Sequence, residues 1–229
     1  PDGRGEAEFQ LRLSSPALKL NDDLIAAFPS ESHRSLLTGL NFSGKAAVNL
    51  MIRFLSANDN FHLAFDARTD PSVTTIKPEA FPLPLDTVSC HVIFNDGEVV
   101  VEDFRSRKGN AFLSTDLYCT MLSDGGWIMI LDNLLAERFE HDTELVRALP
   151  QDVQSYVDAM QIKEPVTLRG SMGFRKDASV DSKLKSYWNL GIICHQNSAN
   201  LGMPLTNICG KVNMLGKNDE HGNTIFGQV

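Results

Sequence analysis

Val48-Asn49-Leu50-Met51-Ile52-Arg53-Phe54 is followed, after the polar tract Ala57-Asn58-Asp59-Asn60, by Phe61-His62-Leu63-Ala64-Phe65-Asp66-Ala67-Arg68. In the first run Val48, Leu50, Ile52 and Phe54 alternate with Asn49, Met51 and Arg53. In the second, Phe61, Leu63, Phe65 and Ala67 alternate with His62, Ala64, Asp66 and Arg68. Successive side chains on a strand point to opposite faces, so each run is a strand with one apolar face, and the tract between them makes a hairpin.

The same period of two runs outward in both directions. Glu6-Ala7-Glu8-Phe9-Gln10-Leu11-Arg12-Leu13 alternates without error. Downstream, strands are expected at Val88 to Phe94, Glu98 to Phe104, Asn110 to Met121 and Trp127 to Leu131. Asn95-Asp96-Gly97 and Ser123-Asp124-Gly125-Gly126 are their turns; Asp-Gly suits the type I′ hairpin, which needs positive φ at both central residues. Strands resume at Val166 to Arg175 and Lys183 to Cys194, joined by Lys176-Asp177-Ala178-Ser179. A loop is expected from His195 to Leu205, then strands at Ile208 to Leu215 and Thr224 to Val229.

Helix signals are few. Leu24, Ile25, Phe28, Leu36, Leu37 and Leu40 fit a helix broken at Pro29. Leu145, Val146, Leu149, Val153, Tyr156, Val157 and Met160 fit a second one broken at Pro150, with Asp142 as its N-cap and Glu144 suiting the positive end of its dipole. The fold class expected is mainly β with short helices: a repeated antiparallel meander forming a curled, open sheet, with a closed barrel or sandwich as the alternative. The open form follows from a shortage of cover. Each strand has an apolar face, and too few helices exist to cover them all. A meander that curls without closing makes a trough with an apolar lining, and hydrophobic chains such as lipid are what it would hold.

The chain also repeats itself. Asn21-Asp22-Asp23-Leu24-Ile25-Ala26-Ala27-Phe28-Pro29 returns as Asp142-Thr143-Glu144-Leu145-Val146-Arg147-Ala148-Leu149-Pro150, Pro84-Leu85-Asp86-Thr87-Val88 as Pro204-Leu205-Thr206-Asn207-Ile208, and Lys108-Gly109-Asn110-Ala111-Phe112 as His221-Gly222-Asn223-Thr224-Ile225. The offsets are 121, 120 and 113. This divides the chain into 1–20, the end of a preceding unit, 21–141, a complete unit, and 142–229, a second unit cut short. The second unit has about seven fewer residues between Pro204 and Gly222 than lie between Pro84 and Gly109, which reads as a shortened hairpin. A start at Pro1 and an end inside a strand-like run give the expectation of a piece of a longer protein.

Composition narrows the function classes. A net charge of −8 argues against a nucleic-acid partner, which needs a concentrated positive footprint. No run approaches the 18 apolar residues of a membrane-spanning helix. Cys90, Cys119, Cys194 and Cys209 form no C-x-x-C pair; buried free thiols are the expectation, with a Cys194–Cys209 bridge conceivable in an oxidising compartment.

No motif for catalysis stands out. Gly39-Leu40-Asn41-Phe42-Ser43-Gly44-Lys45-Ala46 resembles a phosphate loop, but Ala46 replaces its Ser/Thr and the order is helix then strand. Cys90-His91 and Cys194-His195 are neighbours on strands, so each pair points to opposite faces and does not chelate. Asp22-Asp23 and Asp142/Glu144 read as helix-start residues. No catalytic residue, cofactor or metal is expected.

Three pieces together resemble the AsmA-like family, bacterial envelope proteins related to the translocation-and-assembly-module and bridge-like lipid transfer proteins. They are the two acidic-Leu-x-x-Ala-aromatic/Leu-Pro helix starts (Asp23–Pro29 and Glu144–Pro150), the Phe81-Pro82-Leu83-Pro84-Leu85 run leading to Val99-Val100-Val101, and the Lys108-Gly109 and His221-Gly222 steps. The resemblance implies a β-groove that binds or conducts phospholipid, or another acyl-chain lipid, between membranes or supports outer-envelope assembly. It also implies a periplasmic setting with an inner-membrane anchor outside this chain, and as partners adjacent repeat units and envelope proteins at the sheet edges. Pattern alone fits an ordinary closed core; the shortage of cover and the resemblance make the apolar stripes groove candidates: Val48, Leu50, Ile52, Phe54, Phe61, Leu63, Phe65, Val92, Phe94, Leu168, Met172, Phe174, Leu184, Trp188, Leu190 and Ile192. The rival readings are a non-catalytic structural or interaction module of the envelope and, with no supporting cluster, a hydrolase or carbohydrate-binding domain.

Overall fold

The structure is a computed structural model that describes residues 8–26, 31–55, 60–79, 82–140, 143–148, 154, 162–179, 182–200, 203–219 and 222–228. Eleven strands follow one another as an antiparallel meander in a single open sheet, in the order β1 (Glu8–Leu20), β2 (Phe42–Leu55), β3 (Asn60–Thr69), β5 (Asp86–Asn95), β6 (Glu98–Lys108), β7 (Ala111–Met121), β8 (Trp127–Phe139), β9 (Val166–Lys176), β10 (Lys185–Asn200), β11 (Pro204–Asp219) and β12 (Gly222–Gln228). A short β4 (Thr75–Ile76) folds back on β2. The sheet does not close into a barrel, which removes the barrel and sandwich alternatives. At the usual strand spacing it is about 48 Å wide along its curve.

Helices α1 (Asp22–Ala26), α2 (Glu31–Leu40) and α3 (Thr143–Ala148) interrupt the meander. The carboxamide of Asn21 caps α1 by accepting the Leu24 N–H at 3.2 Å, while Asp22 and Asp23 occupy its first turn. Glu144 in the first turn of α3 pairs with Lys108 at the end of β6, and Ala148 is buried among β5 and β6 side chains. The expected helix breaks at Pro29 and Pro150, the cap at Asp142, Phe28, Leu149, Val153, Tyr156, Val157 and Met160 fall outside the described residues, as do Ala57-Asn58-Asp59 and Phe81.

Strand bulges shape the sheet. The register shifts across Asp86/Ser89, Val101/Phe104, Leu131/Leu134, Ala136/Phe139 and His195/Asn197. A residue with positive φ sits in each gap: Thr87, Asp103, Asn133, Arg138 and Gln196. A bulge bends its strand and sharpens the local twist, so a series of them curls the sheet. On the edge strand β1 the shift lies between Ser15 and Leu18, where Pro16 has no ladder N–H to lose. The Asn95-Asp96-Gly97 turn forms as expected, with φ of 46° at Asp96 and 98° at Gly97. Asp96 also accepts the Leu63 N–H at 3.0 Å and faces His62 Nδ1 at 2.7 Å; chiefly the His62 bond holds its carboxyl below the usual range.

Two expectations fail here. His195 to Leu205 is not one loop: β10 continues to Asn200 and β11 begins at Pro204. The reason is Asn197, 1% exposed, whose carboxamide accepts the His195 N–H at 2.6 Å and donates to Glu164 O at 2.8 Å and Pro165 O at 3.2 Å. Glu164 in turn accepts the Ser198 N–H and Oγ–H, and these bonds, the N–H first, hold its carboxyl below the usual glutamate range. The polar run is thus a bulged strand. Second, the segment between Pro204 and Gly222 is not a shortened hairpin but one 16-residue strand, where the segment from Pro84 to Gly109 holds two strands and a turn. The helix-then-hairpin order does occur twice, as α1–α2–β2–β3 and α3–β9–β10, and the sheet is continuous between them because β8 pairs with β9.

Asn197→Ala is expected to lower the unfolding free energy by about 2 kcal/mol in urea titration, because a buried backbone donor and two carbonyls lose their partner. Glu164 has a folded-state pKa below its ordinary 4.5, so its contribution is present above that value and is lost as pH falls through the lower folded value. The stability gap between the native chain and Glu164→Gln should therefore shrink as the unfolding series is taken into that acid range.

Candidate functional site

Cross-strand register places residues that face each other on the same side of the sheet. One row runs Leu13, Leu50, Phe65, Phe94, Val99, Cys119, Met129, Phe174. A second runs Val48, Ala67, Val92, Val101, Leu117, Leu131, Met172, Trp188, Gly216. Beyond the bulges, Ala136, Leu168, Ile192 and Val212 form a third, and Leu134, Gly170, Leu190 and Met214 a fourth. One apolar face therefore crosses the sheet from β1 to β11.

The groove candidates lie on this face. Val48, Leu50, Ile52, Phe54, Leu63 and Phe65 occupy it on β2 and β3, with Ile52 opposite Leu63. Phe61 pairs with Phe54 in the register, and its side chain lies outside the described residues. Val92 and Phe94 continue the face on β5, where the rings of Phe65 and Phe94 stack at 5.0 Å and 5°. Leu168, Met172, Phe174, Trp188, Leu190 and Ile192 carry it across β9 and β10, and Leu184 packs beside Cys119, Trp127, Met129 and Phe174 just before β10. Trp188 lies over Gly216, where a Cβ would come 2.3 Å from its ring, so the glycine is the space the indole fills. Sequence reading left Phe9, Leu11, Leu13, Val99, Leu117, Trp127, Met129 and Leu131 off the candidate set, although their alternation carries the same signal.

The face is unevenly covered. In the middle it is filled by its own side chains and by neighbours. Ile76, Leu83, Leu85, Val88, Cys90, Val101, Phe104 and Ala148 form one buried cluster; Cys119, Trp127, Met129 and Phe174 form another; Leu40 at the end of α2 packs against both. Toward β1 the face is open: Phe9 is 58% exposed and Leu13 51%, with Leu11 and Phe54 also exposed. Neighbouring apolar side chains left in water on this scale mark a contact surface.

The other face is polar and laced by cross-strand pairs. His91 on β5 faces Asp66 on β3 through Nε2 at 2.6 Å and Glu102 on β6 through Nδ1 at 3.2 Å. Cys90 points the opposite way, buried, with its N–H bonded to Thr69 Oγ1 at 2.9 Å. Asp177, after β9, pairs with Lys185 and Arg175 at 3.0 and 2.8 Å, and those bonds lower its pKa. This face also carries Val100, Tyr118, Ile130 and Tyr187, the last with its ring over Gly173, a row that sequence reading did not single out.

All four cysteines are free. The conceivable Cys194–Cys209 bridge does not form: Cys194 pairs with Gly210 and Cys209 with His195, so the two thiols sit on opposite faces. Burial pushes the Cys119 thiol up to about 12 and also raises Cys90 and Cys194. Among the described residues no three His, Cys, Asp or Glu side chains converge as metal ligands, and no helix is long and apolar enough to cross a membrane. Comparison of the chain with protein-family models, with curated proteins and with solved structures gives no match.

In the folded protein iodoacetamide should modify exposed Cys209 and leave Cys119 untouched until urea is added, since only the thiolate reacts. Peptide mass mapping reads this directly. Labelling of Cys119 at the rate of Cys209 would mean that the middle of the apolar face is open to solvent.

Proposed function

We propose that this chain is a segment of a bacterial envelope protein whose open β-groove binds or conducts the acyl chains of phospholipid. The observation that supports this reading is an apolar face continuous from β1 to β11 on an open sheet for which the described residues supply no second layer. The short helices among the described residues are too little to cover it, and the exposed sector at β1 and β2 offers bare apolar surface. Acyl chains match such a surface because their contacts are non-directional and scale with the area removed from water. The groove reading assigns the polar face to solvent and the free edges to adjacent repeat units or envelope proteins, with the protein held in the periplasm by an inner-membrane anchor outside this chain. It asks for no catalytic residue.

A non-catalytic structural or interaction module is the second reading. It draws on the two buried clusters, which fill the middle of the face with the protein's own side chains, and on β1, which among the described residues pairs on one side alone and so suits strand addition.

Native mass spectrometry and lipid extraction after mild purification separate the two. The groove reading expects bound phospholipid. It expects Leu11→Glu and Leu13→Glu to change stability by no more than about 1 kcal/mol, as surface substitutions do, while the lipid load falls. Trp188, 8% exposed, is a control: Trp188→Glu buries a charge and should destabilise by about 3 kcal/mol or more. Leu63→Glu, at a half-buried position nearer the open sector, should fall between these. A lipid-free protein, or a lipid load indifferent to Leu11→Glu and Leu13→Glu, sinks the groove.

A further inference from the structure

The polar face holds a feature that the lipid groove does not use. Around β8 to β11 it sinks into an open recess of about 530 Å³. Gly191 forms part of its floor, paired in the register with Arg169 on one side and Asn213 on the other. Lys211, two residues before Asn213 on β11 and paired with Ile193, leans across that floor. A Cβ at position 191 would come 2.3 Å from Lys211 Cε and 3.2 Å from its Nζ, so the ammonium rests in space that only glycine leaves open. Directly opposite residues in an antiparallel ladder have Cβ atoms about 5 Å apart, so Arg169 begins one strand away from that ammonium.

Two cations thus converge on one glycine in a protein of net charge −8. Among the described residues neither is in an ion pair, although Arg175, Lys185 and Lys217 on the same strands all are. Like charges brought side by side on a sheet repel, and an anion between them removes the repulsion. Ser171, Asn189 and Asn213 add neutral donors around the same space. Asp132 is the one carboxylate among the described lining residues; it accepts the Asn133 N–H at 3.0 Å, at the β8 bulge. A planar guanidinium, a point-charge ammonium and neutral amides are the donor set that recognises a tetrahedral oxyanion.

We propose that this recess is a phosphate-binding site in which Arg169 and Lys211 are the charged ligands and Gly191 is the space that admits the lysine. The phosphate is either the free ion or the headgroup of a phospholipid.

Backbone amide NMR of the whole chain tests this, with inorganic phosphate in one titration and monomeric dihexanoyl phosphatidylglycerol in another. Saturable shifts are expected at Gly170, Gly191 and Asn213. Arg169→Gln and Lys211→Gln should each weaken binding about tenfold, as loss of a charged hydrogen bond does. Gly191→Ala keeps both charges but displaces the lysine, and it should weaken binding while leaving the unfolding midpoint near that of the parent. Equal affinity for the two probes identifies free phosphate as the ligand; tighter binding of the lipid, with the same dependence on Arg169 and Lys211, identifies the headgroup. No saturable shift with either probe, or shifts that survive the Arg169→Gln/Lys211→Gln double variant, overturns the site. Lipid shifts confined to the apolar face and unchanged in that double variant would sink the recess and leave the groove; phosphate binding by a chain that purifies without lipid would do the reverse.

Discussion

The rest of the structure depends on one constraint: the sheet has an apolar face that nothing of comparable size among the described residues covers. Burial is the main favourable term in folding, and a flat sheet of this width would leave most of that face wet. The chain meets the constraint in three ways. The bulges at Thr87, Asp103, Asn133, Arg138 and Gln196 curl the strands. The Pro82–Leu85 run and β4 fold back so that Leu83, Leu85 and Ile76 plug the middle. The ends of α2 and α3 contribute Leu40 and Ala148. Each is local, and the β1 sector receives none of them.

In β8 and β10 the alternation of the sequence carried the expected strand as far as the first bulge and no further, whereas in β7 it ran through the shift at Ser114/Asp116. Trp127, Met129 and Leu131 alternate cleanly, and the expected strand ends there. The observed strand continues to Phe139, because a left-handed residue at Asn133 moves the inward phase from odd to even positions, to Leu134 and Ala136. Beyond such a point the pattern reads as a loop although the ladder goes on. In β10 the same shift coincides with an all-polar run, His195 to Ser198, whose satisfaction by Glu164 and Pro165 comes from 32 to 34 positions away. A period of two cannot contain that information; only the fold brings Asn197 to those carbonyls.

The groove candidates were legible for the same reason the strands were, since a face is what alternation encodes. What was not legible is which part of the face stays open. Phe94 and Leu13 occupy one row and obey one pattern, yet Phe94 is buried and Leu13 is not. Phe94 lies on an inner strand with its ring stacked on Phe65, whereas Leu13 lies on the edge strand, and strand position in the sheet is not written in the alternation. The repeat had a similar limit. It located two helix-then-hairpin segments, but its last match equates the β6–β7 turn with the β11–β12 step, across which one copy has two strands and the other has one.

Separation of chemistry between the two faces follows from strand geometry. Because neighbouring residues point to opposite sides, every apolar row on one face leaves a row on the other free to carry charge. On β3, β5 and β6 those positions hold Asp66, His91 and Glu102, which clasp three strands together. On β9 to β11 they hold Arg169, Gly191 and Lys211, where a missing side chain makes room and two positive charges meet. In the first arrangement an imidazole lies between two carboxylates; in the second two cations lie together with no ion pair among the described residues. Two such cations side by side are a reason for an anion to bind there, whatever the apolar face carries.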